Sequence, residues 1–175
     1  EGQATLDDYR TRHAQYRTDV DLQAMHAALP VIAVWDDHEI ANDAWREGAE
    51  NHTEGVEGAF ADRRAAAIRA YHEWMPTRLP DPARPDRIYR SFRFGNLLSL
   101  HMLDTRVIGR DQQMDYANYF GASGFDTARF TADLTDPNRT LLGAEQNDWL
   151  GLQLAQSDTT WDMLGQQVLM GRMNI

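Results

Sequence analysis

The 175-residue sequence predicts an α/β sandwich, with mixed sheets flanked by helices. Three observations carry that expectation. Short β-branched runs alternate with helix-forming segments of ordinary length. A paired alternation around Gly95-Asn96 has the form of a β-hairpin. The composition, 42% hydrophobic and 25% charged, is that of a soluble globular chain with a sizeable core.

The elements follow in order. "TLDDYRTRHAQYR" opens with Thr5 and Asp8 at capping-box spacing, and Tyr9, His13 and Tyr16 then share a helical face. Thr18 or Asp19 caps a second helix that runs to about Leu29, where Pro30 stops it. "VIAVW" reads as a buried strand. Residues 36–58 form a polar, Gly-containing loop, and "AFADRRAAAIRAYHEWM" is built from strong helix formers. Four prolines between residues 76 and 86 make an irregular connection. The hairpin follows, in "RIYRSFRFGNLLSLHMLD". The segment 105–140 is polar and irregular, long enough to suggest a functional loop. "GAEQNDWLGLQLAQS" is an amphipathic helix, and "WDMLGQQVLM" a strand.

Net charge is −10, and all 17 basic residues are Arg. A general nucleic-acid surface needs a basic face, which this balance argues against. No apolar run approaches the roughly 20 residues of a membrane span. The sequence has no Cys, so it offers neither a disulfide framework nor a Cys-type zinc site.

The stretch that asks for an explanation is "VWDDHEIANDAW", with four acids, a histidine and an asparagine in twelve residues directly after an apolar strand. In open α/β sheets, ligands bind beyond the carboxyl ends of strands. Crowded carboxylates stay ionised only when a cation offsets them, and Asp, Asn and His suit hard or borderline metals. A zinc-protease helix needs a second His four residues after His38, and position 42 is Asn. Asp37 and Glu39 as glycosidase carboxylates carry no specific spacing. Taken singly, His38 reads as a histidine satisfied by a carboxylate, Asn42 as a helix cap, Arg63 as a solvated helical charge, and Asp104 with Arg106 as a strand-end ion pair.

Together, "DDHE" with its trailing Asn, "LDTR" and "LGQQV" stand in an order that resembles the PhoD-type alkaline phosphatases, over nearly the whole chain. The resemblance implies part of a metallophosphoesterase-type four-layer α/β core. It implies an exported, secreted or periplasmic hydrolase of phosphate monoesters and diesters that carries one ferric iron and two calcium ions. It implies Asn42 as a metal ligand, Asp37 and His38 beside it as ligand, orienting group or proton donor, and Arg63 as a contact to the substrate phosphate. Asp104 and Arg106, at a second strand end, join the same rim, with Arg106 as a further phosphate contact. The family's remaining metal motifs would lie before Glu1 and after Ile175, so residues 1–175 are expected to form the central part of a single catalytic domain. The substrate is then a small phosphate ester. The competing reading is a degenerate, non-catalytic paralogue that binds a partner through residues 106–140.

Overall fold

The structure, a computed structural model, describes residues 5–171. Helix α1 (Leu6–Tyr16) starts in the capping box expected of Thr5 and Asp8. Helix α2 (Val20–Ala28) is capped by Asp19, whose side chain accepts from the Leu22 amide. The Thr18 hydroxyl instead donates back to the Gln15 carbonyl. Helix α3 (Phe60–Trp74) carries a buried face of Phe60, Arg63, Ala67, Ile68, Ala70 and Tyr71. Arg10 binds Glu73 through two nitrogens, at 2.6 and 2.8 Å, and ties α1 to the end of α3.

Strands β1 (Arg90–Phe94) and β2 (Leu98–Met102) form the expected antiparallel hairpin around a three-residue turn. Gly95 opens that turn at φ +60°, in the left-handed region that glycine enters without penalty. Strand β5 (Trp161–Gly165) lies parallel to β2 on its other edge, so the sheet order is β1-β2-β5. Parallel neighbours need a crossover. Helix α5 (Gly143–Gln156) lies within it and packs Trp149 against Tyr89 at a ring separation of 4.9 Å. The result is a mixed sheet with helices, the α/β arrangement expected.

Three expectations are corrected. "VIAVW" joins no strand ladder. β2 already has a neighbour on each edge, and side chains take the segment's carbonyls instead: Arg90 donates to Ala33 at 2.7 Å and Gln167 to Trp35 at 2.9 Å. The final strand stops at Gly165, because Gln166 and Gln167 turn back onto nearby backbone. The segment 105–140 is not irregular throughout. It contains a 3-10 turn (Tyr116–Tyr119), a short hairpin of β3 (Phe120–Gly121) and β4 (Gly124–Phe125), and helix α4 (Thr127–Leu134), capped by Asp126. Tyr116, Tyr119, Phe125 and Phe130 pack their rings together and supply the small core this lobe needs.

The main apolar cluster joins α1, α3 and the acid-rich loop. It contains Tyr9, Trp35, Ile40, Ala41, Ala44, Phe60, Ile68, Tyr71 and Val107 among others. The loop is therefore folded around its own alanines and Ile40, with its polar members on the rim. The first helix's aromatic stripe divides: Tyr9 is buried, whereas Tyr16 is exposed.

Candidate active site

The parallel strands β2 and β5 run out at the same end of the sheet, towards Asp104–Arg106 and Gln166–Gln167 respectively. Gln167 gathers three segments there. Its carbonyl accepts from the Thr105 amide and hydroxyl, and its amide donates to the carbonyls of Leu103 and Trp35. Trp35 is thereby held beside the strand ends, and the acid-rich loop begins at the next residue.

Within the loop each polar group has a distinct partner. The Glu39 carboxylate accepts from the Asp36 amide at 2.6 Å and closes the first turn. The Asp37 carbonyl accepts from the amides of Ile40 and Ala41, while its carboxylate accepts from the Asp43 amide at 2.7 Å. That last bond holds Asp43 at φ 48°, a left-handed conformation uncommon outside glycine. Asn42 is held at both ends. Its Oδ1 accepts from His38 Nε2 at 2.7 Å, and its Nδ2 donates to Glu50. His38, 74% exposed at its side chain, points outward. The bond to Asn42 and then the nearby Asp37 carboxylate raise its pKa above the ordinary value of 6.5.

Two arginines organise the surroundings. Arg106, 8% exposed, donates to Asp36 at 2.7 Å and Asp43 at 3.4 Å, with Asp37 3.8 Å away. It offsets the crowding of three carboxylates, with its guanidinium turned into the loop. Arg63, 4% exposed, reaches from α3 to the Tyr9 hydroxyl at 3.1 Å, the Asn51 carbonyl and His52 Nδ1 at 3.3 Å each, with Glu57 3.7 Å away. Tyr9 passes the contact on by donating to the Ile40 carbonyl. The structure thus sets Arg106, through Asp36 and Asp43, against the loop that carries Asp37, His38 and Asn42. Arg63 stands behind the segment 50–52 that holds Asn42.

Asp104 is fully buried and 0% exposed. Burial raises its pKa from 3.8 to about 6, although its Oδ1 accepts from the Arg106 and Val107 amides. Its backbone pairs with the Gln146 side chain in both directions, at 2.8 and 2.7 Å. Asp104 therefore shapes the turn that delivers Arg106.

Sequence reasoning missed Glu50, Tyr9 and Gln146 as members of this neighbourhood. Glu50 and Tyr9 reach it through contacts 8 and 31 residues distant in sequence, and Gln146 through one 42 residues away. The carboxylate and amide oxygens around Asn42 suit hard cations. An amide oxygen has two lone pairs, and His38 occupies one of those on Asn42. Among the described residues, no three or more His, Asp or Glu side chains converge as a metal site. These residues fit one wall of such a site.

The fold and the loop define a class: an α/β protein with an anion-rich polar turn at the carboxyl end of a parallel strand pair. Comparison with known proteins narrows this. The PhoD-like phosphatase family model matches residues 1–175, and the chain belongs to that family. It is 45% identical over 172 residues to alkaline phosphatase D of Bacillus subtilis (strain 168), covering 97% of this chain and 28% of that protein. A solved structure of PhoD superposes with a TM-score of 0.74 at 45% identity, over 95% of this chain and 30% of that one. The chain thus spans less than a third of the length of these relatives.

Proposed function

We propose that residues 1–175 are part of a metal-dependent phosphate-ester hydrolase and supply one wall of its active site. The observation that carries this reading is the turn in which His38 and Glu50 fix Asn42 from both sides, within a chain that belongs throughout to the PhoD-like phosphatases. The rest of the catalytic domain would come from further chain, consistent with the share of the relatives that this chain spans. Calcium and ferric iron are the proposed cofactors, with Asn42 as a ligand and Asp37 beside it. When bound, such metals polarise a phosphoryl group and supply a hydroxide nucleophile near neutral pH.

The residues themselves have separable roles. His38 orients Asn42 Oδ1 and, being exposed, can pass a proton to a leaving alkoxide. Asp37 fixes the loop through the Asp43 amide. Arg106 positions the acidic residues, and a direct phosphate contact would use whichever N–H it releases from them. Arg63 offers the planar, permanently charged fork that suits a phosphate, anchored from behind by Tyr9. The substrate is a small phosphate ester, and the proposed site of action is the periplasm or cell exterior. Among the described residues no helix is long and apolar enough to cross a membrane.

The test is hydrolysis of p-nitrophenyl phosphate and bis(p-nitrophenyl) phosphate by the full-length protein with calcium and ferric iron supplied. Turnover that a chelator abolishes and His38→Ala reduces is the expected result. Chelator-resistant turnover, or none at all, would overturn the reading.

A further inference from the structure

The lobe formed by residues 112–139 is stapled to the body at a narrow neck. The Asp111 amide donates to the Thr140 carbonyl, and the Thr140 amide to the Asp111 carboxylate. The lobe then leans onto the acid-rich loop, with Gln113 Nε2 donating to the Asp43 carbonyl at 2.8 Å. Between lobe and loop lies a cavity of about 530 Å³, a volume within the range of small-molecule sites. Asp43 and Glu50 form its floor on the loop side; Tyr116, Tyr119, Arg129 and Arg139 belong to the lobe. It adjoins the proposed metal ligand directly, because Glu50 is the partner of Asn42.

The wall carries charges of both signs. Of its carboxylates only Asp43 meets a cation among the described residues, Arg106; Glu50 and Asp115 are held by neutral donors, the Asn42 amide and the Ala117 N–H. The arginines are held chiefly by neutral groups. Arg139 donates to the Gln112 carbonyl at 2.6 Å and, among the described residues, has no carboxylate within ion-pair distance. Arg129 donates to the Asn118 carbonyl and lies over the Tyr119 ring at 5.2 Å, with Asp133 only at 4.0 Å. Two guanidinium groups thus line a polar cavity beside the loop with N–H donors to spare.

We propose that this cavity binds a second oxyanion of the substrate, a phosphoryl or carboxyl group on the alcohol portion of the ester, through Arg129 and Arg139. The inference rests on the phosphate-ester reading and refines its substrate class. The aromatic packing under Arg129 fixes one donor, and the neck fixes the lobe against the loop, so the anion meets a preformed site.

The experiment compares three esters on the full-length protein: butane-1,4-diol monophosphate, its bisphosphate, and 4-(phosphonooxy)butanoate. Hydrolysis of the monophosphate tests the phosphate-ester reading by itself. Calorimetric affinity and kcat/KM for the three together test the cavity, and the affinity arm holds even for a chain that turns over none of them. A preference for the bisphosphate or the carboxylate over the monophosphate is expected, and the better of the two identifies the anion. Arg129→Gln with Arg139→Gln should cut that preference by about tenfold or more, tenfold being the value of one charge-assisted hydrogen bond. Arg129→Lys with Arg139→Lys should retain most of it. No preference in the parent protein, or an equal loss in the Gln and Lys pairs, would overturn the proposal.

Discussion

Burial beside the candidate site gives Asp104 a raised pKa. Its folded-state pKa, about 6, lies above the ordinary 3.8, so the folded chain holds an extra proton between those values. Stability from this group is therefore complete below about pH 4 and declines as pH rises to about 6. The total loss is about 3 kcal/mol at 1.36 kcal/mol per unit. Asp104→Asn keeps an acceptor for the Arg106 and Val107 amides but cannot ionise. Thermal melts of parent and variant between pH 4 and 7 should show this slope only in the parent, and parallel curves would refute the assignment. The Tyr9 hydroxyl accepts from Arg63 and donates to Ile40, so it links α3 to the acid-rich loop. Tyr9→Phe should cost roughly 1–2 kcal/mol and raise KM for a phosphate ester more than it lowers kcat. An unchanged KM would separate Arg63 from substrate binding. Neither behaviour was legible beforehand. Asp104 was readable as a strand-end charge and Tyr9 as an aromatic on a helical face, but Gln146 lies 42 residues from Asp104, and Ile40 and Arg63 lie 31 and 54 residues from Tyr9.

Elements were legible where a local signal decides them. The capping box of α1, the Pro30 stop after α2 and the Gly95 turn all act within a few residues. Helix α5 forms as expected, but it buries Gln146 and Leu150 and leaves Leu152 and Leu154 exposed. "VIAVW" misled because β-branched apolar residues report burial, and burial alone does not supply a ladder. Its carbonyls are taken by Arg90 and Gln167, side chains that no periodicity reveals. α4 was missed because eight residues with Phe130 and Leu134 on one face give too short a pattern. Gln167 joins Thr105, Leu103 and Trp35, so Gln167→Ala should lose about 2–4 kcal/mol. Hydrogen exchange should report the loss first at the Thr105 amide, which donates to Gln167; unchanged protection there would contradict the cross-link. A second junction depends on glycine. A Cβ on Gly109 would stand 2.3 Å from the Leu142 carbonyl oxygen, at the start of α5. Gly109→Ala should therefore lower the melting temperature by several degrees, as expected for a backbone clash of 1 kcal/mol or more. An unshifted transition would show that the approach is loose.

At the scale of the molecule, a sheet end, two helices and a distant lobe converge on one short turn. The sequence displayed the turn itself, since "DDHEIAN" concentrates ligand-type residues after an apolar run. It did not display Glu50, which completes the hold on Asn42, nor the lobe that walls the neighbouring cavity. Glu50 lies 8 residues from Asn42 across an irregular turn, and the lobe meets the loop through Gln113, 70 residues from Asp43; no periodic pattern reports either contact. The central claim is that Asn42, fixed by His38 and Glu50, holds metal for phosphate-ester hydrolysis. The most direct test measures bound calcium and iron together with p-nitrophenyl phosphate turnover, for the full-length protein and Asn42→Ala, after chelation and again after metals are restored. The parent should regain metal and activity, and Asn42→Ala substantially less of both. Equal metal content and equal recovery in the two proteins would contradict that claim.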